Sequence, residues 1–222
     1  SLIGSKVIVN LKSKIFEKIR AANSLVQVRF SFEQEDKVDP LTFFVSGKVT
    51  GYTPYNGDTS DLSFINISYT QRPPDDLILV LGKLLEANIN SKKRKEERIG
   101  INEETMGKLG LASRNAMLYI QMVPRVCILR DLSFSGAKLL IQGVAKFLVD
   151  KEAELHLELE DRTSLILKGK IIRFETVASR KDIASVAMLF EETTIPMRYK
   201  LLINEYISSI RKSQQIQSDD KK

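Results

Sequence analysis

With 222 residues, 43% hydrophobic and 28% charged, the chain is long enough for one large domain or two ordinary ones and too apolar to be wholly disordered. One cysteine, Cys127, and one histidine, His156, exclude an intrachain disulfide framework, a cysteine-based zinc site and a multi-histidine metal centre. The formal net charge of +6 is unevenly placed: residues 1–90 carry 10 basic and 10 acidic side chains and residues 91–222 carry 24 and 18, so an anionic partner is expected at the second half or at the junction.

Along the chain, Val7, Ile8, Leu11, Ile15, Phe16, Ile19 and Ala22 recur at helical spacing, which predicts an amphipathic helix over residues 6–25. The period then changes to two, with Val26, Val28, Phe30 and Phe32 alternating with polar residues as in a half-buried strand. A turn is expected over residues 35–40, and a second strand over 41–52 with Gly47 and Gly51 as bend or bulge points. The segment from Thr53 to Asp58 has turn chemistry, and a third strand covers residues 62–69. After Pro73-Pro74, Asp75 and Asp76 are candidate N-caps for a helix ending near Asn88. The longest aliphatic run, residues 77–81, is far short of the roughly 20 apolar residues a bilayer crossing needs, and no secretory segment follows the start. A cytoplasmic protein without membrane insertion is the expectation.

From Asn88 to Arg98 the composition turns abruptly polar and basic, which marks a linker. Beyond it, strands are expected at 116–123, 125–132, 137–141, 153–159, 164–174 and 183–190, close enough together for a closed antiparallel barrel. Residues 102–114 between linker and barrel read as an extra helix or loop. Pro196 precedes a last helix with Tyr199, Leu201, Leu202, Tyr206, Ile207 and Ile210 on its apolar side, and the tail from Ser213 is polar. The fold expected is mainly β (α+β), with two barrel-like domains: 1–90, a linker at 91–98, 99–212, and a flexible tail at 213–222.

Two motifs in the basic half point to chemistry. Arg94 and Arg98 stand four apart in the linker, and Asp131-Leu132-Ser133-Phe134-Ser135-Gly136 joins two strands. Simple alternation would put Asp131, Ser133 and Ser135 on one side and Leu132 and Phe134 on the other. A guanidinium fork pairs with phosphate oxygens or the O6/N7 edge of guanine, whereas a carboxylate suits a guanine N–H edge. Serine can donate to phosphate, and Gly136 permits a tight turn or close approach. Together these complement a guanine nucleotide with few phosphates. No Walker-type loop or acidic magnesium cluster is present, so binding without hydrolysis is expected. Each motif alone also reads blandly, as a solvated basic linker and as an ordinary hairpin turn. His156 reads as a solvent-facing strand residue and Cys127 as a small packed one.

RxxxR at Arg94 and Arg98 followed by DxSxxG at Asp131, Ser133 and Gly136 resembles the cyclic di-GMP signature of PilZ domains, over about residues 92–212. The resemblance implies a six-stranded antiparallel barrel followed by a helix, a receptor rather than an enzyme, and cyclic di-GMP as its ligand. Arg94 and Arg98 would grip the ligand from a disordered arm, with Asp131 and Ser133 on the other side and Gly136 shaping the turn. Lys93, just before the first arginine, would help set whether one nucleotide or a stacked pair binds. The 32 residues between Arg98 and Asp131 are slightly long for the family. The first half lacks both motifs and resembles the degenerate barrel that precedes PilZ in YcgR-like architectures. By that analogy the partners are cyclic di-GMP and a protein such as motility machinery; nucleic acid, bound by the basic linker and barrel, is the alternative.

Overall fold

The computed structural model describes residues 3–33, 39–55, 61–143, 145–177 and 180–219; the side chains of residues 181 and 214–219 are not described. The turn expected at 35–40 and the loop at 53–58 therefore fall largely outside the described residues. The chain divides into two compact units, Ser1–Gly82 and Lys83–Lys222.

The first unit begins with strand β1, Gly4–Asn10, and helix α1, Lys14–Ala21. The single helix expected over 6–25 is thus corrected to a strand and a shorter helix. The run Val7-Ile8-Val9 is β-branched, and such side chains favour the pleated surface where β1 pairs antiparallel with β4. Strands β2 (Leu25–Phe32), β3 (Leu41–Pro54) and β4 (Leu62–Tyr69) complete a four-stranded half-barrel in the order β1-β4-β3-β2. Its core is Val49, Ile65 and Ile67, covered by Phe16 and Ile19 of α1. The β3–β4 register shifts between Val49 and Gly51, a bulge at one of the two expected glycines. At the other, Gly47, a Cβ would lie 2.7 Å from the Ile67 side chain, so glycine there allows close strand packing. Helix α2, Asp75–Lys93, runs from the first unit into the second.

The second unit contains the expected barrel. A two-residue strand β5 (Ile99–Gly100) and helix α3 (Glu103–Lys108) precede β6 (Asn115–Ile120), β7 (Val123–Leu132), β8 (Gly136–Gln142), β9 (Glu152–Glu158), β10 (Ser164–Val177) and β11 (Arg180–Phe190). The order β7-β6-β9-β10-β11-β8 closes on itself because β7 also pairs with β8, every pairing being antiparallel. Closure removes the exposed edges that an open sheet would present. The six expected strands are these six. The lengthened segment after Arg98 is held by a capping box: Asn102 Oδ1 accepts from the Thr105 N–H at 2.8 Å, and Thr105 Oγ1 accepts from the Asn102 N–H at 2.8 Å. Helix α4, Met197–Asp219, continues well past Ser213. It buries Tyr199, Ile203, Tyr206 and Ile207 against a core that includes Leu118, Leu129, Leu139, Leu155, Leu167 and Val186. Among the described residues no helix is long and apolar enough to cross a membrane.

Candidate functional site

The two motifs meet because β5 lies alongside the end of β7. Ile99 pairs with Leu132 and Gly100 with Asp131, and the Ile101 N–H donates to the Arg130 carbonyl at 2.8 Å. This pairing fixes the residue before β5, Arg98, beside the carboxylate that β7 carries near its end. Arg98 Nη1 donates to Asp131 Oδ1 at 2.8 Å, with the Asp131 side chain only 19% exposed. A charge-assisted bond to a partly shielded carboxylate is stronger than one between freely solvated groups.

Residues 94–98, expected as a disordered arm, instead follow a definite course. The Arg94 N–H continues the α2 pattern to the Asn90 carbonyl at 2.8 Å, and the Glu97 N–H donates to the Arg94 carbonyl at 3.2 Å. Ser135 Oγ donates to the Lys95 carbonyl at 2.8 Å, tying the arm to the β7–β8 turn. Lys95 Nζ reaches Glu192 Oε2 at 2.6 Å, and Arg211 Nη2 of α4 reaches Glu97 Oε2 at 2.8 Å. The Glu192 carboxyl is held below its ordinary value by the Lys95 hydrogen bond first, with the charges of Lys95, Lys92 and Lys200 adding to it. These lysines make the surroundings of the arm electropositive. Lys93 is exposed and Arg94 half-buried, and neither forms an ion pair among the described residues.

The turn between β7 and β8 departs from the expected alternation. Asp131 is half-buried, but Ser133 is buried together with Leu132 and Phe134. The cause is that β7 ends at Leu132: Ser133 is the first residue of the turn, where the strand alternation no longer applies and the chain folds back onto Gly136. The Ser133 hydroxyl is occupied within the turn: Oγ lies 3.1 Å from the Gly136 carbonyl, to which it donates, and 3.1 Å from the Gly136 N–H, from which it accepts. The Ser133 N–H also donates to the Gly136 carbonyl at 2.8 Å. Gly136 is needed for space, since a Cβ there would lie 2.4 Å from the Met188 carbonyl oxygen of β11. From the other side, the Tyr199 hydroxyl donates to the Ser133 carbonyl at 2.7 Å. Burial pushes the Tyr199 hydroxyl's pKa far up, and the nearby Asp131 charge adds to this.

The structure therefore brings Arg98 and Asp131 into contact and joins Ser133 to Gly136, while Lys93 and Arg94 lie where α2 ends. Sequence reasoning missed Lys95, Glu97, Tyr199, Asn204 and Arg211 as supports. His156 is not solvent-facing: it is half-buried against Tyr119, ring centroids 4.5 Å apart, with Nε2 3.6 Å from a Glu154 oxygen. Cys127 is buried as expected, and desolvation pushes its thiol up to about 12. A cavity of about 640 Å³ lies elsewhere on the barrel and includes none of the motif residues. Its lining sets Asp150, Glu152, Glu154 and Glu191 against Lys168 and Lys170, an unfavourable environment for a dianion. Of the motif residues, Lys93 and Arg98 are exposed, Arg94 and Asp131 half-buried, and Ser133 and Gly136 buried.

Residues 1–88 match the family model for the PilZN3 domain. A curated relative from Treponema denticola, named as a cyclic di-GMP binding protein, is 44% identical over 213 residues, covering 96% of this chain and 68% of the relative. Among solved structures, the chain is similar to PlzA of Borreliella burgdorferi in complex with c-di-GMP, at 20% identity and TM-score 0.41, over 93% of this chain and 78% of that one. It is also similar to YcgR of Escherichia coli in complex with c-di-GMP, at 10% identity and TM-score 0.36, over 100% and 80%. By its identity to the Treponema protein and its PilZN3 domain, the chain belongs to the PilZ family.

Proposed function

We propose that this chain is a cyclic di-GMP receptor that works by binding and not by turnover. The observation that supports it best is the Arg98–Asp131 contact, which joins the second arginine of RxxxR to the first residue of DxSxxG across 33 positions of sequence. A guanine nucleotide offers an O6/N7 edge and phosphate oxygens to guanidinium groups and an N–H edge to a carboxylate. Arg98 and Asp131 present both complements side by side, and the electropositive surroundings favour a small dianion. In this reading Lys93 and Arg94 complete the grip from the end of α2. Ser133 and Gly136 shape the turn that seats Asp131.

For the ligand to use both groups, Arg98 and Asp131 must exchange their mutual bond for bonds to it. The arm then shifts, and because it follows directly from the helix that leaves the first unit, binding acts on the connection between the two units. The downstream target in this reading is another protein, of the kind that controls motility, met in the cytoplasm.

Isothermal titration of the chain with cyclic di-GMP, cyclic di-AMP, GTP and GMP tests the reading. Cyclic di-GMP should bind tightest. Arg94→Ala and Arg98→Ala should each weaken it by roughly 10- to 150-fold, the loss of a charge-assisted hydrogen bond. Unaltered affinity in both variants would reject the site. The exposed Lys92 and Lys93 favour a second reading, a nucleic-acid module. Salt separates the two: several backbone phosphate contacts make affinity fall steeply with salt, whereas a single dianion gives a shallow slope.

A further inference from the structure

We propose that helix α4 is a working part of the ligand site, anchoring both halves of the signature to one helix through Tyr199, Asn204 and Arg211; this rests on the reading of Arg98 and Asp131 as the ligand grip. Tyr199 donates to the Ser133 carbonyl and so supports the turn that follows Asp131. Asn204 Oδ1 accepts from Asn90 Nδ2 at 2.6 Å, inside a contact where both residues are buried. Arg211 holds Glu97, the residue just before Arg98.

The spacing makes this one device. Asn204 and Arg211 are seven residues apart, as are their partners Asn90 and Glu97. Seven residues return a helix to nearly the same side, so Asn204 and Arg211 face together while Tyr199 points about 120–140° away. One side of α4 therefore holds the turn, and another holds the end of α2 and the arm. At about 1.5 Å per residue, the helix spans roughly 18 Å from Tyr199 to Arg211. The Asn90–Asn204 pair is the strongest tether on the arm's side, because an amide left unpaired inside a contact carries its full desolvation cost. The Glu97–Arg211 pair is partly exposed and contributes less. Asn204 and Arg211 are positioning residues that act through the arm, and Tyr199 acts through the turn.

The test is isothermal titration of the full chain with cyclic di-GMP, beside a thermal melt of each variant. Asn204→Leu should weaken binding by about tenfold, and Arg211→Gln by about two- to fourfold. Tyr199→Phe, which keeps the ring in place, should weaken it as well. Because a merely structural residue would not depend on its arm partner, the deciding measurement is a double-mutant cycle. Glu97→Gln should change affinity in the unaltered chain and leave it unchanged in the Arg211→Gln background. Full affinity in Asn204→Leu and Arg211→Gln, or additive effects in the cycle, would overturn the proposal while Arg98→Ala still weakened binding. Failure of the unaltered chain to bind, or full affinity in Arg98→Ala, would instead remove the ligand grip and this proposal with it.

Discussion

Replacing Gly136 with alanine separates two roles for the last residue of the signature. A methyl group there would sit 2.4 Å from the Met188 carbonyl oxygen and 3.4 Å from its carbon. Both are backbone atoms of β11, which pairs with β8 through Gly136 and Leu189. A flexible side chain could swing aside, but a strand in a closed barrel cannot. To restore an ordinary contact the strands must part by about 1 Å, which stretches ladder hydrogen bonds, and such overpacking costs about 1–3 kcal/mol. The backbone obstacle places Gly136→Ala toward the upper end, so the melting temperature should fall by roughly 4–12 °C. Gly82 and Gly107, inside α2 and α3 with nothing within 4 Å of a built Cβ, are the controls. Alanine at either should stabilise by about 0.5–1 kcal/mol. Differential scanning calorimetry of the three variants gives the order directly. If Gly136→Ala melts with the unaltered chain or above it, the packing argument fails. If it keeps its melting temperature and loses cyclic di-GMP, the glycine instead serves close approach of the ligand.

Ser133→Ala should cost about 1–3 kcal/mol in urea unfolding, because the buried Gly136 N–H loses the hydroxyl that accepts from it. Cys127, its thiol pushed up from 9.0 to about 12, should resist iodoacetamide at pH 8 until denaturant is added. The same shift makes the folded chain retain a proton that the unfolded chain releases, so this contribution to stability is complete below pH 9 and is lost as pH rises toward 12. The Asp161 carboxyl is held well below its ordinary value of 3.8 by the Thr163 hydroxyl and N–H, with Arg198 adding to them. Its contribution is present above that value and lost as pH falls below it, so Asp161→Asn should flatten the acid limb of the stability profile measured by circular dichroism.

How well the sequence could be read depended on whether one physical signal dominated. The six barrel strands were legible because they follow one another at short spacing with no long helix between them, and in β9 apolar and polar residues alternate as a barrel with one interior and one exterior requires. Residues 6–25 misled because the spacing of Val7, Ile8, Leu11 and Ile15 fits a helix while the local run Val7-Ile8-Val9 fits a strand. Pairing with β4 decided for the strand, and a partner more than 50 residues away is not visible in a local window. The helix at the linker was cut short for a similar reason. The polar end of α2, from Asn88 to Lys93, has no apolar stripe, and its helicity is carried by backbone continuity and by the buried Asn90–Asn204 bond.

At the site the residue types were legible and their directions were not. Arg98 and Asp131 could be named from the motif, but their contact depends on β5, a two-residue strand too short to leave a pattern. The end of β7 at Leu132 is equally silent in sequence, yet it decides that Ser133 closes a buried turn while Asp131 stays half-buried on the strand. That division has a mechanical consequence. A carboxylate on a loosely held loop would spend part of its time away from the ligand, whereas here the residues after Asp131 are fastened by the Ser133–Gly136 bonds, the Tyr199 hydroxyl and the steric fit of Gly136. Preorganisation of this kind removes an ordering cost from binding. Arg98 differs, because its segment is held largely by ion pairs that exchange easily with water and salt. A fixed carboxylate facing a lightly tethered guanidinium is the arrangement in which a small anion can move one side of its site without disturbing the other.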